Sequence, residues 1–138
     1  MLLLDTNMIL RYLLKDNEEQ SAAAAEIIRT KDVHTTAEVI AEAIYVLSGI
    51  YKINRNEVSW MIHCILLDVR VENQKSLRYA LGLYNQTSLD FVDCLLVAYH
   101  KVLGVEVLSF DKKLNSNLEK DHPICGNPFF LPVRALPH

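Results

Sequence analysis

Four carboxylates stand beside apolar runs in this chain. Asp5 follows Leu2-Leu3-Leu4. Glu42 lies within Val39-Ile40-Ala41-Glu42-Ala43-Ile44. Asp93 ends Asp90-Phe91-Val92-Asp93, and Asp111 follows Val107-Leu108-Ser109-Phe110. Carboxylates drawn to one edge of a sheet are oxygen ligands for a hard divalent cation, Mg2+ or Mn2+. Without a cation they would repel one another and raise some of their own pKa values. With one, the site could polarise a phosphodiester, lower the pKa of a bound water and stabilise charge developing on oxygen. A carboxylate at the end of a buried strand is costly unless something pairs with it, which singles out Asp5.

Each acid taken alone has a structural explanation. On a 3.6-residue wheel Val39, Ile40, Ala43, Ile44, Val46 and Leu47 form an apolar arc. Glu42 falls at its rim, poised between a cleft and water. Asp90 and Asp93 suit the first turn of a helix, where acids satisfy free amides and the dipole. Leu96 and Val97 lie three and four residues beyond Asp93, which turns Asp93 toward the apolar side. Asp111 suits a turn, and Ser109 is either a turn residue or a hydroxyl supporting a neighbouring carboxylate.

The elements that would position these residues alternate in type. Strands are expected at Leu2–Asp5, Val33–Thr35, Val69–Val71 and Val105–Leu108. Helices are expected at 7–14, Glu18–Thr30, Thr36 or Ala37 to Ser48 with Gly49 as a stop, Asn56–Leu67, Lys75–Asn85, and Asp90–Leu103 ended by Gly104. Such alternation implies an α/β domain with a parallel sheet covered by helices. From Asp121 the chain holds all four prolines and reads as an extended tail packed on the domain. No repeat, low-complexity block or linker interrupts it.

The 138 residues fit one domain, with 51% hydrophobic and 22% charged residues, ordinary values for a soluble globular protein. A net charge of −3 argues against a general nucleic-acid-coating protein. It leaves room for an enzyme whose metal ion supplies local positive charge. Cys64, Cys94 and Cys125 are odd in number, far apart and without a CxxC pair. Cys64 and Cys94 fall in apolar helical patterns, so free thiols and a reducing cytoplasm are expected. Asp5 and Arg11 interrupt the apolar N-terminus, which argues against a signal peptide, and no stretch approaches the roughly 20 apolar residues of a membrane span. His34 and His63 sit in strand and helix patterns where structural roles are expected. Arg11, Lys15, Lys112 and Lys113 neighbour the acids in sequence and could meet phosphates, against the simpler reading of solvated surface charge.

Leu3-Leu4-Asp5-Thr6-Asn7, Val39-Ile40-Ala41-Glu42, Asp90-Phe91-Val92-Asp93-Cys94-Leu95-Leu96 and Leu108-Ser109-Phe110-Asp111-Lys112-Lys113-Leu114 together resemble the PIN-domain family, most of all the VapC-type toxins of toxin–antitoxin pairs. Each motif is weak alone, but four in the family's order are specific. The resemblance runs from residue 2 to about 118. It implies a three-layer α/β/α PIN-like domain over residues 1–120, with a parallel sheet of four or five strands, followed by the tail over 121–138. It implies a Mg2+- or Mn2+-dependent endoribonuclease. Asp5, Glu42, Asp93 and Asp111 match the family's acidic quartet, with Asp5 and Asp93 as the main metal ligands. Asp90, Asn7 and Ser109 match supporting positions. The implied partners are RNA and a small antitoxin that blocks the acidic cleft. Apolar helical stretches such as Glu57–Ile62 could supply a homodimer or antitoxin surface, although Trp60 could equally be core. Ser109 departs from the family's usual threonine but keeps the hydroxyl, and the tail matches nothing in the family.

Two other readings compete. An aspartyl phosphotransferase of the haloacid-dehalogenase type would place a second Asp two residues after Asp5, where this chain has Asn7. A PIN-like domain that binds a partner without catalysis is opposed, though not refuted, by the intact quartet.

Overall fold

The computed structural model describes residues 1–122. Three short parallel strands form the sheet in the order β1-β2-β3: β1 (Leu2–Leu3), β2 (Val33–Thr35) and β3 (Arg70–Val71). Leu2 pairs with Val33, Leu3 with His34, His34 with Arg70 and Thr35 with Val71. Helices α1 (Thr6–Leu14) and α2 (Glu18–Thr30) connect β1 to β2. Helix α3 (Ala37–Tyr45), a π-helical segment (Val46–Ile50) and α4 (Arg55–Ile65) lead to β3. Helices α5 (Gln74–Gln86), α6 (Phe91–Leu103) and α7 (Lys112–Glu119) follow. Parallel neighbours need crossover connections, and the helices supply them.

The helix starts follow local chemistry. Asp5, Asn17, Thr36, Asn54 and Asp111 each accept a hydrogen bond from the backbone N–H three residues on, at the starts of α1, α2, α3, α4 and α7. Gly104 ends α6 in the left-handed region at φ 73°, which a side chain would strain. The core gathers residues at helical spacing, among them Ile9, Ile40, Ile44, Leu47, Ile62, Leu77, Leu81 and Val97, all fully buried. Helix α3 packs on α1 and α6, α5 on α4 and α6, and α7 on α6. Cys94 is buried and Cys64 half-buried, neither in a disulfide; Cys125 lies outside the described residues, as does the tail beyond His122. Among the described residues no helix is long and apolar enough to cross a membrane.

Several expectations are corrected. The sheet has three strands among the described residues, not four or five, because Val105–Leu108 does not join it. The backbone groups of Val105 are already engaged by the end of α6: its N–H donates to the Tyr99 carbonyl at 3.4 Å, and His100 Nδ1 lies 2.8 Å from its carbonyl oxygen. Leu108 is left 95% exposed. The strand carrying Asp5 is not buried either, since Leu3 is 65% exposed on the sheet's edge. The helix expected to stop at Gly49 instead widens into the π-helical segment and passes through it. Helix α7 adds to the expected elements; its signal in the sequence is the cap residue Asp111 ahead of Leu114 and Leu118, both buried.

Candidate active site

Parallel pairing brings the ends of β1 and β2 to the same sheet edge, and α1 and α3 both begin there. The Leu4 N–H donates to the His34 carbonyl at 2.8 Å, and Thr35 Oγ1 donates to the Leu4 carbonyl at 3.1 Å. The chain is thereby tied to β2 up to the residue before Asp5. Asp5 is exposed, and its Oδ1 accepts from the Met8 N–H at 2.9 Å. This single bond leaves Oδ2 open. Asn7 is exposed in the first turn of α1, and Glu42 is exposed on α3.

Asp93 occupies the first turn of α6 and is half-buried. Its pKa is raised, first by burial, then by the negative charges of Asp90 and Asp111; Lys113 opposes the rise. Asp93 therefore shares one acidic corner with Asp90 and Asp111. Asp90 sits at the N-cap position of α6, yet its side chain makes no capping bond. Its carboxylate is free to act on Asp93. Asp111 caps α7 through Oδ1, at 2.9 Å from the Leu114 N–H. All three acids lie at the positive end of a helix dipole, which offsets part of their repulsion.

The loop before α7 is held by its own side chains. The Asp111 N–H donates to Ser109 Oγ at 2.9 Å, and Asn115 Nδ2 donates to the Ser109 carbonyl at 2.9 Å. Ser109 thus acts as a turn residue that sets the position of Asp111. Lys113 Nζ donates to Ser88 Oγ, linking α7 to the loop that precedes Asp90. Arg11 is committed elsewhere: Nη1 lies 2.7 Å from Asp16, and Tyr51 also engages it. His63 is buried beside Arg78, and its pKa is pushed down to about 4 by burial and then by that cation. His34 lies 3.3 Å from Asp32. Neither histidine belongs to the acidic corner.

The charges of Asp90 and Asp111 thus reach Asp93, while Asp5 stands at the start of α1 and Glu42 on α3, both exposed. An all-oxygen donor set fits Mg2+ or Mn2+, and a cation would favour the ionised form of Asp93, which burial first and then the charges of Asp90 and Asp111 disfavour. The quartet is not drawn into a closed cage: among the described residues no three His, Cys, Asp or Glu side chains are grouped tightly enough to hold an ion.

Arg55 was absent from the sequence reading. Its Nε donates to the Tyr84 carbonyl at 3.0 Å, its Nη2 to the Leu89 carbonyl at 2.6 Å, and its guanidinium lies 3.7 Å from the Tyr84 ring centre. It fixes the loop that delivers Asp90 and Asp93. No local signal could reveal this, because the partners lie 29 and 34 residues away.

Comparison with known proteins identifies the family. The PIN domain family model matches residues 2–117. A protein described as a VapC ribonuclease, from Aquifex aeolicus, is 31% identical over 122 residues, covering 82% of this chain and 89% of the relative. No solved structure matches significantly. The chain belongs to the PIN-domain family, and within it resembles the VapC type.

Proposed function

We propose that the protein is a Mg2+- or Mn2+-dependent endoribonuclease and the toxin of a toxin–antitoxin pair. The observation that carries the reading is the half-buried Asp93 set against Asp90 and Asp111, in a PIN domain similar to a named ribonuclease. In this reading Asp5 and Asp93 hold the ion, and Glu42 and Asp111 complete its surroundings or orient the attacking water. When bound, the ion supplies positive charge at the scissile phosphate and lowers the pKa of water. The helix starts at Asp5, Asp93 and Asp111 hold these carboxylates in place, Asp5 and Asp111 through their capping bonds. Ser109 and Arg55 hold the loops that carry Asp111 and Asp93.

The proposed setting is the cytoplasm. The proposed partners are RNA, a small antitoxin covering the acidic cleft and a second copy of the chain. Exposed Tyr45, Ile50 and Tyr51 supply apolar surface for such contacts. The test is RNA cleavage with Mg2+ or Mn2+ by the unsubstituted protein, Asp5→Asn and Asp93→Asn. The reading requires activity in the first alone; equal cleavage by all three would end it.

A further inference from the structure

A cavity of about 840 Å3 opens between the end of α3, the π-helical segment, the start of α4 and the start of α6. Asp90 and Asp93 lie on its wall, so it is continuous with the acidic corner. Its apolar surface comes from residues such as Ile44, Ile53 and Phe91. Tyr45 stands at it with 72% of its surface exposed. Asn54 and Asn56 supply amide groups. Asn54 Oδ1 is used in capping α4, at 2.9 Å from the Glu57 N–H, which leaves its NH2 free to donate. Asn56 makes no side-chain hydrogen bond among the described residues and offers both a donor and an acceptor.

Charge restricts what can enter. Two carboxylates line the cavity, and the cation there, Arg55, is committed to the Tyr84 and Leu89 carbonyls. A phosphate would meet repulsion. A flat neutral group with a hydrogen-bonding edge would find a ring to stack on and amides to pair with. An unpaired nucleobase has that chemistry, and single-stranded RNA is recognised by stacking on aromatic rings and by bonds to base edges. The π-helical segment contributes Ser48 and Gly49 to the wall, and such local widenings recur at functional sites. A Cβ added at Gly49 would meet no atom within 4 Å, and Gly49 does not use the left-handed region. Its missing side chain therefore leaves space rather than easing the backbone.

We propose that this cavity holds one unpaired base of the RNA, stacked on Tyr45 and read at its edge by Asn54 and Asn56. This assignment of specificity residues rests on the endoribonuclease reading above.

The test uses the full-length protein labelled with 15N, with Ca2+ replacing Mg2+ or Mn2+ to hold RNA without turnover. The probes are a single-stranded RNA hexamer and the same hexamer built from abasic riboses. The intact hexamer is expected to shift the amides of Tyr45, Gly49 and Asn56, and the abasic one to leave them in place. Tyr45→Ala, at an exposed ring, is expected to weaken binding about ten-fold. Gly49→Leu, which plugs the cavity, should weaken it by a similar factor, with thermal melting confirming the fold. Equal shifts from both hexamers, no shifts from either, or unchanged binding by folded Gly49→Leu and Tyr45→Ala would overturn the proposal. The two readings fail separately. A base seated in the cavity without metal-dependent cleavage would sink only the nuclease; cleavage without these shifts would sink only the base pocket.

Discussion

Arg55 and Leu89, 34 residues apart, are joined by a 2.6 Å hydrogen bond from Nη2 to the carbonyl oxygen. The same guanidinium bonds the Tyr84 carbonyl and covers the Tyr84 ring. One side chain thus pins the end of α5 and the entry to α6, and the entry to α6 carries Asp90 and Asp93. Arg55→Ala should cost about 2–4 kcal/mol, from two charge-assisted hydrogen bonds and a cation–π contact. Arg55→Lys should fall between the two, because an ammonium cannot reproduce the guanidinium fork. Chemical denaturation measures both; a loss below about 0.5 kcal/mol for the alanine variant would show that the clamp carries little.

Asp93→Asn should separate stability from activity. Burial and the charges of Asp90 and Asp111 raise the Asp93 pKa. For an acid so shifted, the folded state holds the proton more tightly than the unfolded state. Stability is therefore lost as pH rises above the ordinary carboxylate range. Removing the charge should raise the melting temperature at neutral pH by roughly a degree or two, a small gain because the site is only half-buried. RNA cleavage should disappear. A melting temperature below that of the unsubstituted protein would show that the ionised carboxylate is stabilising.

Asp5 has two jobs that different substitutions can divide. Asn caps helices about as well as Asp, so Asp5→Asn should keep α1 and lose cleavage. Asp5→Ala should lose cleavage and also about 1 kcal/mol of stability with the bond to the Met8 N–H. Paired melting and cleavage measurements distinguish cap from ligand; substantial cleavage by Asp5→Asn would confine Asp5 to capping.

His63 should make the fold acid-sensitive. Its folded pKa is about 4, depressed by burial and by Arg78, against an ordinary 6.5. The unfolded chain takes up this proton first as pH falls. Stability should be full above about pH 6.5 and decline between about 6.5 and 4, by at most about 1.4 kcal/mol per pH unit. His63→Gln should flatten this part of the profile. Denaturation midpoints across that range provide the check, and parallel profiles for the two proteins would exclude His63 as the source.

Divalent metal should stabilise the protein by binding the folded state alone. Millimolar Mn2+ should raise the melting temperature, and Asp93→Asn should reduce that rise. An equal rise in both would place the ion away from Asp93.

The sequence by itself determined what local chemistry controls. Thr36 announced a helix start, Gly104 announced a stop, and 3.6-residue spacing marked buried faces such as Ile40-Ala43-Ile44. The order of its acidic motifs was enough to indicate the family. Local pattern could not decide whether Val105–Leu108 pairs with a neighbour, because that depends on where the end of α6 places Tyr99 and His100. Nor could it show that Asp90 leaves its cap unmade and presses on Asp93, or that Arg55 spans two loops. Those relationships join residues distant in sequence, and only the packing of α4, α5, α6 and α7 sets their distances. The sequence named the acids; the tertiary structure decided that Asp90, Asp93 and Asp111 share one corner, beside a cavity with room for more than an ion.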